Sequence, residues 1–353
     1  MNKILTIICF FLAVNCNAEE FKLRKLYDLS KPWGLTFYNS DLIVTEQGGK
    51  IFYLGLSEKS KREISHNLNF LEIGQGGLLD IINHNKKLYI CYTEKRIGGT
   101  STSIATGYLV SNKIEFKNIF RAEPPIDSGY HFGCRMVIRN NMLFASIGER
   151  GKGMIAQDAS KHPGSIIRIN LDGSPPKSNP KFNKKKGWLP EIYQIGIRNP
   201  QGMTLSPYDN KIYISNHGPR GGDFFGEVKI GENYGWKIIA WGGTNYDFTK
   251  IGDGSAWKPG FTKPLKTWVP SIAVSGTQIY KGNEFTNLNN HILIGSLKDQ
   301  SLRKINFKNS VIGKEKIIFK GDIGRIRDLK IDRSGKIYLL SNGPGALWVM
   351  TLR

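Results

Sequence analysis

Short apolar runs separated by polar turns recur along the whole chain. In each repeat a small residue introduces an apolar run, a turn of Asn, Asp, Gly or Ser follows, and a second run rich in Ile, Leu, Tyr and Phe comes next. Six copies align, beginning WGLTF, GGLLD, FGCRM, QGMTL, SGTQI and IRDLK. Apolar runs with such turns between them predict antiparallel hairpins, and helical periodicity is scarce.

The six copies predict an all-β fold. Their spacing is uneven, which suits one small sheet per repeat with inserted loops of different length. Six antiparallel four-stranded sheets arranged radially make a six-bladed β-propeller. A β-sandwich is the alternative, although it does not predict six matching copies. In a propeller the loops that enter the inner strands converge on one mouth, so polar residues at equivalent positions should meet there.

The N-terminal segment has the pattern of a secretory signal peptide. Lys3 precedes an apolar run from Ile4 to Val14, and Ala18 ends a stretch of small residues. The run is too short for a membrane span, so we expect no membrane-spanning segment and cleavage after about Ala18. Residues 1–18 are then the signal, and residues 19–353 form a single propeller domain that is exported to the periplasm.

Cysteine usage and charge limit the other possibilities. Cys91 and Cys134 remain after signal removal in a compartment that permits disulfides, but the sequence leaves open whether they pair. The formal net charge of +21 raises the question of nucleic acid. Lysines are spread along the chain, however, with one dense run at residues 184–186, and no aromatic–basic pattern accompanies them. We therefore expect a solvated lysine-rich surface and no nucleic-acid partner.

Polar residues fall at equivalent positions of the copies, where inner strands are normally apolar or small. An isolated histidine or a loop arginine is usually structural or solvated, but agreement between several copies favours a site. Before or at the first strand lie Gln75, His131, Arg198, Asn199, Arg325 and Arg327; after the second lie Glu149, residues 217–219 and Lys298.

This composition indicates an anionic ligand and a base. Three arginines and a lysine at one mouth repel each other unless an anion with two or three charges neutralises them, and guanidinium groups match carboxylates or phosphates. His131 accepts a proton near neutral pH, and Glu149 is placed to orient it. An anionic cofactor beside a general base indicates redox chemistry on an alcohol.

A dozen stretches, in order, resemble the glucose/sorbosone dehydrogenases, in particular the periplasmic aldose sugar dehydrogenases, which are soluble quinoproteins. They are PWGLTF, QGGLLDI, HFGCRMV, GERG, AQD, GSIIRINLDGSPPKSNP, PEIYQIGIRNPQG, HGPRGGD, GENYGW, PSIAVSG, GSLKDQSL and GRIRDL. The resemblance runs from about Pro32 to the C-terminus. It implies pyrroloquinoline quinone (PQQ) and calcium as cofactors, and an aldose whose C1 hydroxyl is oxidised to the lactone by hydride transfer to PQQ. It also implies an external electron acceptor; a monomer or a homodimer is expected.

The resemblance assigns roles to individual residues. His131 becomes the general base, supported by Glu149, and calcium binds the backbone carbonyls of Gly218 and Pro219. Arg198 lies close to the quinone oxygens, where it stabilises developing charge. His131 and Asn199 also contact PQQ, Gln75 contacts its quinone, and Lys298, Arg325 and Arg327 pair with its carboxylates.

The chain departs from the family pattern at three places. Glu149 replaces an aspartate, for which we expect retained but altered activity, and Ile197 replaces a histidine. Phe224 stands where a second, structural calcium finds its carboxylate. Tyr234, another contributor to that site, remains, and Glu227 is a substitute ligand. We expect this second calcium to be weak or absent.

Two alternatives to an active dehydrogenase stay open. The first is a non-catalytic propeller that binds a carbohydrate or a small polyanion at the same mouth. The second is a calcium-dependent lactonase propeller, which ranks last because its metal site needs several carboxylates and this mouth is basic. The identity of the sugar is not readable from the sequence. Candidate surfaces for stacking a sugar are Tyr234, Trp236 and Trp241.

Overall fold

The computed structural model describes residues 21–352, so the predicted signal peptide lies outside the described residues. Within this range the chain forms 25 strands and three short helical segments, namely the α-helix α1 (Pro180–Asn183) and the 3-10 turns Gly153–Gln157 and Thr286–Leu288. None of these segments has the length and hydropathy that crossing a membrane requires. The all-β prediction is confirmed.

The strands, in chain order, are β1 (Phe21–Asp28), β2 (Pro32–Tyr38), β3 (Asp41–Glu46), β4 (Ile51–Leu54), β5 (Lys61–His66), β6 (Leu78–His84), β7 (Lys87–Arg96), β8 (Gly99–Val110), β9 (Lys113–Ile114), β10 (Lys117–Arg121), β11 (Gly133–Arg139), β12 (Met142–Ile147), β13 (Ser165–Asn170), β14 (Ile192–Ile195), β15 (Pro200–Leu205), β16 (Ile212–Asn216), β17 (Asp223–Glu227), β18 (Lys266–Trp268), β19 (Val274–Tyr280), β20 (His291–Ser296), β21 (Ser301–Lys308), β22 (Val311–Lys320), β23 (Ile326–Ile331), β24 (Ile337–Ser341) and β25 (Ala346–Leu352).

These strands form antiparallel meanders. Three of them are the four-stranded sheets β11–β14, β15–β18 and β19–β22. A fourth sheet is completed by the N-terminal strand, since β1 pairs with β25 after β23 and β24. The nine-stranded sheet consists of the meanders β2–β5 and β6–β10, whose strands pair through the two-residue parallel contact of β5 with β9.

The first strands of the six meanders follow one another in a closed cycle. β2 packs against β6, β6 against β11, β11 against β15, β15 against β19, β19 against β23, and β23 against β2. Each predicted sequence copy begins at one of these six strands. All six also carry a bulge near their start, where the register with the second strand shifts. Bulges re-aim side chains, and here all of them lie at the same end of the cycle.

Apolar cores fill the wedges between neighbouring sheets. Phe144 and Ile166 of one sheet pack with Met203 and Ile214 of the next. Because each sheet lies between two others, both of its faces are covered. This explains why second strands such as β12 and β16 are mostly apolar and are buried almost throughout. The cycle is therefore a stable frame for the loops at its ends.

The structure also answers the open question about the cysteines. Cys91 of β7 and Cys134 of β11 form a disulfide with Cα atoms 5.6 Å apart. Both residues are fully buried. The bridge therefore connects two adjacent meanders close to the residues that enter β11.

Candidate active site

A cavity of about 290 Å³ opens at the bulged end of the first strands. Its walls come from several meanders, and none of the residues that line it carries a carboxylate. The lining residues are Trp33, Gln47, Gly74, Gln75, Leu79, Phe132, Gly133, Asn199, Gln201, His217, Ala273, Leu297, Arg325, Arg327 and Asn342. Four of the predicted site residues are among them.

The predicted base sits beside this cavity with its predicted partner. His131 precedes β11 and Glu149 follows β12, so the antiparallel pairing of these strands brings the two residues to the same sheet end. His131 Nδ1 and Glu149 Oε1 form a short hydrogen bond. The second carboxylate oxygen of Glu149 accepts the Gly153 amide at 2.5 Å. Gln75 Oε1 accepts the backbone N–H of His131 at 2.9 Å, which anchors the base to the cavity wall.

Burial sets the charge state of this pair. Burial lowers the pKa of His131; the hydrogen bond to Glu149 opposes the shift, and the charge of Arg198 reinforces it. Burial on its own raises the pKa of Glu149, but the hydrogen bond and charge of His131 outweigh it and the pKa of the carboxyl falls below its ordinary value. A neutral imidazole bonded through Nδ1 to a carboxylate is the arrangement of a poised base.

Arg198 and Asn199 are buried, not solvated loop residues. Asn216 Oδ1 accepts both of their backbone amides, at 3.2 and 2.8 Å. Asn199 Oδ1 in turn accepts the N–H of Gly133 at 3.1 Å, which ties the RNPQG loop to the start of β11. The Arg198 carbonyl accepts the Glu149 amide at 2.9 Å. The base, its carboxylate and the arginine are therefore held in one backbone network.

The Arg198 guanidinium has spare hydrogen-bonding capacity. Its Nη1 donates to the Gly218 carbonyl at 3.1 Å, whereas its buried Nε has no hydrogen-bond partner among the described residues. The guanidinium lies 5.4 Å from the ring centre of Trp236. Burial lowers the pKa of Arg198, and the neighbouring Tyr246 and Glu149 oppose that shift.

The other predicted cations occupy two different environments. Arg327 is buried, donates to Gln201 Oε1 at 2.9 Å and has an unpartnered Nε among the described residues. Burial, then the charges of Arg135 and Arg325, lower the pKa of Arg327 to about 9. Arg325 is exposed and lines the cavity. Lys298 is exposed and follows the cavity residue Leu297 without lining the cavity itself.

The predicted calcium carbonyls lie on this network. Gly218 and Pro219 are buried, and the Gly218 carbonyl already accepts Arg198. Asp223 Oδ1 accepts the Gly218 amide at 2.8 Å, and its Oδ2 accepts the Ala273 amide at 2.6 Å. In residues 21–352 no three His, Cys, Asp or Glu side chains gather where they could hold a metal.

Aromatic packing fills the surroundings of Tyr234. The ring of Phe224 stacks on Tyr234 at 4.6 Å, and Trp241 contacts Phe224 at the same distance. The Tyr234 hydroxyl donates to the Glu227 carbonyl at 2.7 Å, and the Glu227 carboxylate pairs with Lys211. The side chains named as ligands of a second calcium, Tyr234 and Glu227, are therefore engaged in other contacts. The rings around Tyr234 are apolar and do not suit a cation.

One expectation about the aromatic residues is wrong. Tyr234, Trp236 and Trp241 are 0, 4 and 1% exposed, so none of them presents a face to a sugar. They are buried because Tyr234 and Trp241 pack on Phe224, and Trp236 stacks on Trp241, inside the loop region that follows β17. The spacing of these three residues in the sequence did not indicate that their rings would be buried.

The sequence reasoning missed a buried ionic centre beneath the cavity. Arg135 is 2% exposed and pairs with Asp80 at 3.4 Å and Asp328 at 2.9 Å. It also donates to the carbonyls of Gln201 and Arg327. Arg135 therefore joins the first strands of four meanders. The available signal was an ionisable residue inside an otherwise apolar run, as in GLLDI, GCRMV and IRDLK.

Comparisons with known proteins identify the family of this chain. The sequence model of the glucose/sorbosone dehydrogenase family matches residues 29–349. The chain belongs to this family. It is 31% identical over 350 residues to the aldose sugar dehydrogenase YliI of Escherichia coli K12, covering 95% of this chain and 94% of that protein. Quinoprotein glucose dehydrogenase B of Acinetobacter calcoaceticus is 27% identical over 361 residues, with 77% and 74% covered.

Solved structures of this family share the fold. The apo form of the soluble aldose sugar dehydrogenase of E. coli superposes with a TM-score of 0.89 at 31% identity, covering 94% of this chain and all of that one. A PQQ-bound aldose sugar dehydrogenase of Streptomyces coelicolor superposes with a TM-score of 0.76 at 22% identity, covering 95 and 99%. The resemblance based on motifs is thus confirmed for the family, whereas the roles of individual residues stay predictions.

Proposed function

We propose that this chain is a periplasmic quinoprotein that oxidises the C1 hydroxyl of aldose sugars to the lactone. Family membership and the similarity to a sugar dehydrogenase support the reaction class. The observation that carries the proposal is the hydrogen-bonded pair of His131 and Glu149 beside a cavity that has arginines and no carboxylate. The closed cycle of first strands supports a six-bladed propeller formed by residues 19–353.

The cavity suits PQQ, a tricarboxylate. Arg198 and Arg327 each have a buried Nε without an acceptor among the described residues, and leaving such a donor unpaired is costly. An anionic ligand would provide the missing acceptors and neutralise the cations. When bound, PQQ supplies the acceptor for the hydride from sugar C1. The residues proposed to hold it are Gln75, Arg198 and Asn199 on the quinone side and Lys298, Arg325 and Arg327 on the carboxylate side.

His131 performs the proton transfer in this proposal. A carboxylate only accepts hydrogen bonds, so Glu149 fixes the proton of the neutral imidazole on Nδ1. Nε2 is then left with a lone pair that removes the proton of the C1 hydroxyl. As the imidazole becomes charged, the Glu149 carboxylate stabilises it. The positive charge of Arg198 would stabilise the negative charge that develops on the hydride acceptor.

The described residues offer fewer free ligands for calcium than contacts for PQQ. The carbonyl oxygens of Gly218 and Pro219 are hard ligands of the kind calcium prefers, and the Gly218 carbonyl keeps one lone pair beside Arg198. The Asp223 carboxylate is occupied by backbone amides. We therefore expect the metal to bind firmly only together with the anionic cofactor.

A reconstitution experiment tests the proposal. Purified protein incubated with PQQ and calcium should reduce an artificial dye when D-glucose or another aldose is added, and PQQ should change its absorbance on titration. Protein given calcium alone is the control and should stay inactive. Tight PQQ binding without turnover on a broad aldose panel would contradict the enzyme and favour the non-catalytic propeller.

The pH profile tests the role of Glu149. Turnover needs neutral His131, so its rate should fall as pH drops through the His131 pKa, which lies below the ordinary value of 6.5. In Glu149→Gln the contribution that raises this pKa is lost, so the acid limb of kcat/KM should move to lower pH. The maximal rate should fall by about tenfold to a hundredfold, because the imidazolium loses its partner.

Glu149→Asp is the matched control for that experiment. It keeps the charge, so its acid limb should stay close to that of the wild type even if the rate changes. An acid limb that moves to higher pH in Glu149→Gln, or that does not move in either variant, would contradict the role given to Glu149.

A further inference from the structure

Arg150 is a buried cation beside the proposed base, and the proposed mechanism gives it no role. It is 2% exposed, and burial lowers its pKa to about 10, so the guanidinium still carries its charge at neutral pH. Taking a charge out of water is costly unless the group is well bonded. The four hydrogen bonds of this side chain all go to neutral oxygens. An ion pair therefore does not explain why an arginine is buried here.

These hydrogen bonds hold residues 128–131, the segment that ends at the base. Arg150 Nε donates to the Tyr130 carbonyl at 3.0 Å, and Nη2 donates to the Ser128 carbonyl. Nη1 and Nη2 also donate to the carbonyl and the hydroxyl of Thr100 at 3.0 and 2.8 Å. Thr100 lies at the start of β8 in the neighbouring meander. Because a planar guanidinium can bond several acceptors at once, one side chain fastens this segment to a strand.

The backbone of the base has a conformation that must be held by its surroundings. His131 has a φ of 50°, in the left-handed region that residues with a side chain rarely adopt, and such conformations persist where neighbouring contacts impose them. The Arg150 amide donates to the His131 carbonyl at 3.2 Å. The guanidinium carbon also lies 3.7 Å from the ring centre of Phe132. Arg150 thus contacts the chain on both sides of the base, while its neighbour Glu149 bonds the imidazole.

We propose that Arg150 is a positioning residue for the proposed oxidation, and that it holds the His131 imidazole against the Glu149 carboxylate. Arg150 does not line the cavity, so it acts through the backbone of residues 128–132. The inference rests on the proposed function for its effect on turnover. The position of the imidazole, however, can be measured in the protein without PQQ.

Proton NMR of the protein without PQQ tests the position of the imidazole. A histidine Nδ1–H that is bonded to a buried carboxylate gives a signal at low field, and Glu149→Gln identifies this signal by its loss. Arg150→Met should lose the signal. Arg150→Lys keeps the charge but not the planar group and should only weaken it. Thr100→Val removes one acceptor from the guanidinium and should weaken the signal least.

Steady-state kinetics with PQQ, calcium and an aldose is the second measurement. Arg150→Met should lower kcat about tenfold to a hundredfold, the size expected when a reacting group is displaced by about 1 Å. KM and the PQQ absorbance titration should stay near those of the wild type. Arg168→Met is the matched control, since Arg168 is 6% exposed, also donates to neutral oxygens, those of Ser178 and Asn179, and does not line the cavity. It should keep both the low-field signal and kcat.

Persistence of either the low-field signal or the wild-type kcat in Arg150→Met would overturn the positioning role, as would equal losses in Arg168→Met. Each of these results would leave the dehydrogenase intact. If Arg150→Met does not fold, an unchanged signal in both Arg150→Lys and Thr100→Val overturns the role. A wild type that turns over no aldose would overturn the proposed function, and the NMR result would then still decide whether Arg150 places the imidazole.

Discussion

His131→Ala should lower the turnover of the PQQ- and calcium-loaded protein by about a hundredfold to ten-thousandfold, the range found for removing a positioned general base. The substitution removes the imidazole whose Nδ1 bonds Glu149. It leaves the backbone amide that Gln75 anchors, so the cavity wall should keep its position. The PQQ absorbance change on binding should therefore persist while dye reduction with an aldose is lost.

A histidine elsewhere provides the comparison. His291 lies on β20 and is not among the residues that line the cavity, so His291→Ala should retain wild-type turnover. If His131→Ala kept wild-type activity, His131 would not be the base. If the variant lost PQQ binding as well, the loss of turnover would report on the cofactor pocket and would not support proton transfer by His131.

Arg135→Met should destabilise the fold by about 3–5 kcal/mol, the cost expected when one partner of a buried ion pair is removed. Methionine fills much of the same volume, but Asp80 and Asp328 are left facing each other with 1 and 2% exposure. Three first strands, β6, β15 and β23, lose their common partner on β11 at once. Chemical denaturation, with the unfolding midpoint and slope fitted to a two-state transition, measures the change.

Two further variants make this result specific. Arg139→Met changes a partly exposed arginine at the end of the same strand, which donates to the Asn210 carbonyl at 3.4 Å and lies 4.9 Å from the Phe144 ring centre, and it should cost less than about 1 kcal/mol. Adding Asp80→Asn and Asp328→Asn to Arg135→Met should recover part of the loss, because it removes two buried carboxylate charges that Lys330, 3.9 Å from Asp328, balances only in part. Equal losses for Arg135→Met and Arg139→Met would contradict a central ionic support.

The repeats were readable from the sequence because each meander is local in the chain. A hairpin is formed by neighbouring residues, so its apolar runs and turns appear in order and recur with each copy. The same locality explains why the pairing of His131 with Glu149 could be predicted, since the two residues flank one hairpin, β11 with β12. Equivalent positions in several copies then predicted, correctly, that Gln75, Asn199 and Arg327 would meet in one cavity.

Burial of individual side chains was not readable in this way. Lys298 and Arg327 look alike as cations of the repeat, but Lys298 is exposed and does not line the cavity, whereas Arg327 is buried and lines it. Trp241 and Tyr246 are close in the loop after β17, but the first packs on Phe224 and the second projects into solvent. Which face of a loop is covered depends on strands that are distant in sequence.

By itself, therefore, the sequence determined the hairpins, their sixfold recurrence and the chemical types of the groups at their ends. Only the tertiary structure decided the pairing of Cys91 with Cys134, the enclosure of Arg135 by two aspartates and the choice of aromatic rings that stay exposed. The physical reason is that hairpin formation depends on local turn geometry and apolar patterning. Desolvation and charge pairing depend instead on which distant strands become neighbours when the cycle closes.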